Sequence, residues 1–158
     1  MRKAGLKPMW SDKDVSRFFD AFIDQAERKI YIFLQRAGEE FVKYARKKGS
    51  YQDHTGNLRA SIGYVILKDG DILSENYEMP KNGTDKHTGI NEAKRLVKEM
   101  SQLYKNGFVL VGVAGMRYAV FVEGIHNLDV VTGASVHTEE WIKKTSKKLF
   151  ESLKKKGY

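Results

Sequence analysis

The chain has 158 residues, of which 41% are hydrophobic and 30% are charged, and its net charge is +8. A chain of this length usually folds as one domain, and the absence of cysteine excludes disulfides, thiolate metal sites and cysteine nucleophiles. No stretch approaches the roughly 18–20 consecutive apolar residues of a membrane-spanning helix, so we expect no membrane protein.

The N-terminal third predicts a basic, flexible arm over residues 1–10 and then one long helix. Ser11 to Asp14 has the spacing of a capping box, in which an N-terminal Ser and an acidic residue three positions later satisfy each other's backbone donors. Apolar residues follow at steps of three and four, which is the spacing of one helix face. They are Val15, Phe19, Phe22, Ala26, Ile30, Phe33, Ala37, Phe41 and Tyr44.

An unbroken helix over residues 12–47 would be about 54 Å long at 1.5 Å per residue. That length exceeds the width of one small domain. We therefore expect part of the apolar stripe to pack on a surface beyond the helix's own domain, and we expect Gly38 to kink or break the helix.

The middle of the chain predicts a turn and a short helical segment over 50–61, followed by a β-hairpin. Residues 62–67 are rich in β-forming side chains, Asp69-Gly70 is typical of a two-residue hairpin turn, and a returning strand would carry Ile72, Leu73 and Tyr77. Glycine, proline and mixed charges predict a loop over residues 78–89.

The remaining elements are predicted from their apolar spacing. An amphipathic helix is expected over 90–104, and residues 108–113 predict a strand covered on both faces. One or two helical turns over 117–124, a short strand over 128–131 and a final helix over 138–156 complete the prediction. This order indicates the α+β class: a small, mostly antiparallel sheet packed by a long N-terminal helix, a middle helix and a C-terminal helix, in one domain over 11–158.

Catalytic and cofactor signatures are weak. The four histidines do not have the spacing of metal ligands, and the glycine-rich dinucleotide and phosphate-binding loops are absent, so we expect no cofactor. Ser61, His54 and Asp53 have the residue types of a hydrolase triad but lack the glycines that flank a nucleophilic serine. A small metal-dependent nuclease or hydrolase using Asp53, His54, Glu123 and His126 remains one alternative.

The positive charge is concentrated at the ends of the chain. Residues 1–48 carry +5 and residues 136–158 carry +4, whereas residues 49–135 carry −1. Such ends suit the phosphate backbone of a nucleic acid, and Tyr44 lies beside Lys43 and Lys47. Since no base-reading motif accompanies them, the second alternative is loose, non-specific DNA contact. Solvated lysines on exposed helices explain the same charges without a nucleic acid.

Two short segments have unusual residue choices. The first runs from His54 to Ile62 and the second from Tyr118 to Gly124. Leu58 and Ile62 are expected to point inward, which leaves Arg59 with a defined direction, and Glu123 lies next to a glycine at the end of the second segment. We therefore hypothesise that Arg59 and Glu123 pair, within a subunit or across a subunit boundary.

These segments resemble motifs of the head–tail connector, or tail-completion, proteins of long-tailed double-stranded DNA phages. The family pattern TG-x-L-R-x-S-I is matched here by Thr55, Gly56, Leu58, Arg59, Ser61 and Ile62. The second pattern, Y-A-x-Y-V-E-x-G, is matched by Tyr118, Ala119, Phe121, Val122, Glu123 and Gly124. Phe121 replaces the second tyrosine, and Gly124 comes one position early.

The resemblance implies a non-enzymatic part of the virion, assembled in the bacterial cytoplasm without a cofactor. Its partners would be other copies of the same chain, arranged in a ring at the phage neck, and the neighbouring neck and tail proteins. The motif residues would be subunit-interface or family-motif positions. Residues 76–106 extend beyond a minimal family member as a loop and helix, and would be a docking surface or a tolerated insertion.

Overall fold

The computed structural model describes residues 9–48, 57–77, 87–115 and 131–155. These ranges form four helices and three strands, which confirms the predicted α+β class. In chain order they are α1 (Asp12–Lys48), α2 (Asn57–Ser61), β1 (Ile62–Lys68), β2 (Asp71–Tyr77), α3 (His87–Ser101), β3 (Phe108–Ala114) and α4 (Thr132–Lys154).

The predicted capping box starts α1. The Asp14 carboxylate accepts hydrogen bonds from the Ser11 backbone N–H at 2.9 Å and from the Ser11 hydroxyl at 2.6 Å, while the Asp14 N–H donates to Ser11 Oγ at 3.3 Å. The hydrogen bond from the Ser11 side chain, and then that from its backbone, lower the pKa of Asp14 because they favour the ionised carboxylate. The first turn of a helix has backbone N–H groups without a partner inside the helix. At the start of α1, Ser11 and Asp14 bind such groups without help from another element.

The predicted break at Gly38 is wrong, because α1 continues without interruption from Asp12 to Lys48. A Cβ atom at position 38 would overlap the ring of Tyr64, which lies on β1. The absence of a side chain at Gly38 therefore allows α1 to approach the Tyr64 ring of β1 closely. The Tyr64 hydroxyl then reaches past the helix backbone to donate to Glu39 at 2.9 Å.

The sheet is antiparallel, with the strand order β2-β1-β3. The predicted Asp-Gly turn joins β1 to β2, and both of its residues have positive φ, 54° at Asp69 and 90° at Gly70. Positive φ at both central positions defines the type I′ turn, whose twist matches that of the flanking strands. A bulge between Ile66 and Leu67 shifts the register of the hairpin.

The sheet lies between two helical layers. One core cluster joins it to α1 and α4 and contains Phe41, Val42, Ala45, Leu58, Ile62, Tyr64, Ile66 and Ala134. The other joins it to α3 and contains Val65, Leu67, Ala93, Val97, Val111 and Val113. The central strand β1 is buried along nearly its whole length because it contributes alternate side chains to both clusters.

The strand β3 also has side chains packed on both faces, as predicted. Leu110 packs toward α1, whereas Val111 and Val113 pack toward α3. Gly112 lies under the ring of Phe41, where a Cβ atom would come within 2.7 Å of its Cζ.

The helix α3 belongs to the core, although its segment was singled out as an insertion. It begins at His87, three residues before the predicted start, and covers the sheet face opposite α1 with Ala93 and Val97. Its first turn meets α2, where the Gly89 N–H donates to the Asn57 side-chain oxygen at 3.1 Å.

The helix α4 runs antiparallel to α1. Trp141 stacks on Phe33 with ring centroids 5.5 Å apart, and His137 stacks on Tyr44 at 4.7 Å. The predicted start at residue 138 is wrong, because the helix begins at Thr132. Ala134 is fully buried in the core, and this tertiary contact outweighs the weak helix preference of the Thr-Gly-Ala-Ser sequence.

Several predictions lie outside the described residues. They are residues 1–8 of the arm over 1–10, the turn before Asn57, residues 78–86 of the loop over 78–89, the helical turns over 117–124, and residues 128–130 of the short strand over 128–131. Within the described ranges, none of the helices has the length and apolarity needed to cross a membrane.

Candidate interaction surface

The described part of the first motif is built into the core. Leu58 is 1% exposed and packs in the cluster between the sheet and α1. Ser61 is fully buried, its hydroxyl donates to the Leu58 carbonyl at 2.8 Å, and its own carbonyl accepts the Gly115 N–H. These two positions therefore hold α2 against the start of β1 and the end of β3.

Arg59 joins α2 to the C-terminal end of α1. Its guanidinium donates to the Arg46 carbonyl at 3.0 Å, and the Arg46 guanidinium donates to the Ile62 carbonyl at 2.8 Å. Carbonyls in the last turn of a helix have no partner within the helix, and a cation there also suits the negative end of the helix dipole. The defined direction that the sequence predicted for Arg59 is thus toward α1.

The rest of the two motifs lies outside the described residues. This holds for Thr55 and Gly56 of the first motif and for Tyr118, Ala119, Phe121, Val122, Glu123 and Gly124 of the second. The hypothesised pair between Arg59 and Glu123 therefore stays a prediction. The four residues of the alternative metal site, Asp53, His54, Glu123 and His126, lie outside them as well.

The N-terminal part of α1 carries the most exposed apolar surface of its stripe. Every residue from Asp12 to Ala21 is exposed, a stretch of about 15 Å of helix. We call the exposed apolar residues at this end the α1 tip; they are Trp10, Val15, Phe18, Phe19 and Ile23. Phe18 is 67% exposed and Phe19 is 55% exposed, and their rings meet edge to face at 5.9 Å.

The α1 tip continues the helix face that is buried further along. At 3.6 residues per turn, Val15 and Phe19 lie in line with Phe33 and Ala37. Phe33 is covered by Trp141 of α4, and Ala37 is fully buried. The ion pair of Glu27 with Lys68 and the hydrogen bond from Lys29 to the Ser152 carbonyl tie α1 to β1 and α4 just after the tip. The sequence predicted that this stripe would extend beyond its own domain, and its first turns are indeed uncovered.

A groove of about 350 Å³ runs along the seam between α1 and α4. We call it the α1–α4 groove. Its apolar wall includes Ile32, Phe33, Trp141 and Leu149, and Ile32 is 41% exposed. Its cationic residues are Lys29, Arg36 and Lys148, and no carboxylate lines it. The sequence contains no local signal for this groove, because its two walls come from segments more than 100 residues apart.

A larger groove of about 580 Å³ lies between β3 and the first turns of α4. It is lined mainly by apolar and hydroxyl side chains, and Glu139 is its one charged residue. The Glu139 carboxylate is 2.6 Å from Lys143, and that hydrogen bond lowers the pKa of Glu139.

Among the residues that the structure describes, no group of three histidine, aspartate or glutamate side chains is placed to hold a metal ion. Comparisons with protein-family models, with curated proteins and with solved structures each return no match for this chain. The uncovered α1 tip and the α1–α4 groove both expose apolar side chains on the described surface.

Proposed function

We propose that this protein is a structural, non-enzymatic component of a phage virion that helps to join the DNA-filled head to the tail as a ring of identical subunits. The observation that carries the proposal is the exposed α1 tip. An aromatic side chain has roughly 150–250 Å² of surface, so Trp10, Phe18 and Phe19 together expose on the order of 400 Å². This is within the size range of the largest apolar patch on a soluble monomer, and such patches are often functional.

The proposal that the assembly is a phage neck ring rests on the resemblance of the two motifs to head–tail connector proteins. Among the motif residues, Leu58, Arg59 and Ser61 hold α2 to α1 and to the sheet. Identical copies are the simplest source of a surface that covers the α1 tip. When a patch on one copy binds a different patch on the next, the copies form a closed ring if the rotation between neighbours adds up to a full turn.

The proposal is tested by the gene's neighbours and by deleting the gene. We expect genes for portal, capsid and tail proteins on either side. After induction of the deleted phage, electron microscopy should show filled heads and separate tails, and a plasmid copy of the gene should restore joined particles. Unrelated neighbours together with normal particles after deletion would refute the proposal.

One observation favours a second function, contact with the DNA backbone. Six lysines on and just after α4 are exposed: Lys143, Lys144, Lys147, Lys148 and Lys154 on the helix, and Lys155 after its end. If they bind phosphates, affinity for a random duplex should fall steeply with salt, with a log–log slope near −0.9 per phosphate contacted. Changing Lys144 and Lys147 to glutamine should then make this slope shallower by the equivalent of about two phosphate contacts. The affinity at each salt concentration would be measured by fluorescence anisotropy. An unchanged slope would remove this function from consideration.

A further inference from the structure

We propose that the α1 tip of one copy docks in the α1–α4 groove of a neighbouring copy. This inference rests on the proposed self-association and names the two surfaces that would meet. Both surfaces are apolar in the middle: Phe18 and Phe19 dominate the tip, and Ile32 and Trp141 contribute to the groove. Each is exposed in the single subunit, so neither has to be uncovered before docking.

Charge complementarity selects the occupant. Residues 9–24 contain four aspartates and two basic residues, so the segment has a net charge of −2 in a chain that is otherwise strongly basic. The groove has Lys29, Arg36 and Lys148 along its walls. An acidic, aromatic helix end thus matches a basic, apolar groove, whereas a phosphate backbone would meet repulsion from the tip and would leave its aromatic rings uncovered.

The area available explains why each copy would use both surfaces. One tip in one groove buries on the order of 400 Å² on the tip side, which is about half of the roughly 800 Å² per partner in a stable interface. When every copy offers its tip to one contact and its groove to another, each subunit buries about twice that area. A closed assembly is therefore favoured over an isolated pair held by one contact.

The absence of native cysteine allows a direct test of the contact. One tagged copy would carry Phe18→Cys and a second, differently tagged copy would carry Ile32→Cys. After mixing and mild oxidation, we expect a disulfide-linked heterodimer on non-reducing gels. The control pairs Phe18→Cys with Leu103→Cys, since Leu103 is 75% exposed and follows α3 on the other side of the sheet. No heterodimer, or equal yields in both mixtures, would overturn the docking.

Matched charge reversals separate the groove from the general basicity of α4. Arg36→Glu with Lys148→Glu should weaken self-association at least about tenfold, because two groove cations then repel the acidic tip. Lys144→Glu with Lys147→Glu makes the same change in net charge on exposed α4 positions outside the groove. Sedimentation equilibrium should show a near-native association constant for this second pair. Equal weakening by both pairs would contradict the inference.

The aromatic part of the contact is tested by Phe18→Ser with Phe19→Ser. Both side chains are more than half exposed, so the fold should be retained and circular dichroism should be unchanged. Self-association should fall roughly 30-fold or more, as for aromatic residues at the centre of an interface. A native association constant in this variant would refute the docking.

These outcomes are separable from those of the proposed function. If the gene deletion blocks head–tail joining but the Phe18 and Ile32 cysteines do not cross-link, the docking is wrong and the function stands. If the cysteines cross-link but deletion leaves joined particles, the function is wrong and the docking stands.

Discussion

The contact between Gly38 and Tyr64 shows how one residue sets the distance between α1 and the sheet. A Gly→Ala change inside a helix normally raises helix stability by about 1 kcal/mol. Here the new Cβ would overlap the Tyr64 ring. We expect Gly38→Ala to lower the free energy of unfolding by about 1–3 kcal/mol, as overpacking does, measured by urea denaturation.

The matched control for this prediction is a double-mutant cycle with Tyr64→Ala. Once the ring is removed, Gly38→Ala should become neutral or stabilising by up to about 1 kcal/mol. Equal destabilisation in both backgrounds would mean that the ring is not the cause.

Tyr64 also gives the fold a dependence on alkaline pH. Burial, and then the hydrogen bond to Glu39, raise its pKa from 10.0 to about 12, because both disfavour the tyrosinate. A raised pKa means that the folded state holds the proton more tightly than the unfolded state. The resulting stability is fully present below pH 10 and is lost as the pH rises through about 12.

We therefore expect Tyr64→Phe to reduce the loss of stability between pH 10 and pH 12. Urea midpoints measured across this range would show a shallower fall in the variant than in the parent chain. Tyr104→Phe is the control, because Tyr104 is 40% exposed and follows α3, away from the contact between Tyr64 and Glu39. An identical fall in the Tyr64 variant would exclude this residue as the source.

At the scale of elements, α3 is the helix that packs on the sheet face opposite α1. Val97 is 1% exposed and packs with Val65, Leu67 and Val111. We expect Val97→Ala to lower the free energy of unfolding by about 2 kcal/mol, because it leaves a cavity in a packed core. Leu103→Ala, on an exposed side chain two residues beyond the helix, should stay within about 0.5 kcal/mol. Comparable losses in both would argue against α3 as a core element.

The two halves of α1 are expected to differ in local stability. Its capping box satisfies the first donors, but Asp12 to Ala21 are all exposed, whereas Ala37, Phe41 and Ala45 are buried. Packing supplies most of a helix's stability in water. In dilute solution, amides over residues 16–21 should exchange much faster than those over 37–45, measured by hydrogen–deuterium exchange. Uniform protection along α1 would contradict this picture.

At the scale of the whole molecule, the exposed tip is apolar surface that the proposed docking would cover. Raising the protein concentration should therefore slow exchange over residues 16–21, because docking buries the tip. Amides of α3 around Val97 serve as the internal control, since they are already buried in one copy. If the average molecular mass rises with concentration but amide exchange at the tip does not slow, the contact between copies lies elsewhere.

Features that depend on neighbouring residues were predictable from the sequence. The capping box at Ser11, the Asp69-Gly70 turn and the apolar period of α1 each act within a few residues, and all are present as predicted. The inward direction of Leu58 followed from the same local spacing. These signals sufficed for the fold class and for the expectation that part of α1 would remain uncovered.

Features that depend on contacts between distant segments required the folded chain. Gly38 meets Tyr64, Arg59 meets the Arg46 carbonyl, and Lys148 shares a groove with Ile32. Local preference is worth less than about 1 kcal/mol per residue, whereas burial of one side chain is worth more. The early start of α4 and the unbroken path of α1 follow from that difference, because in both places packing against a distant element outweighed the preference of the local sequence.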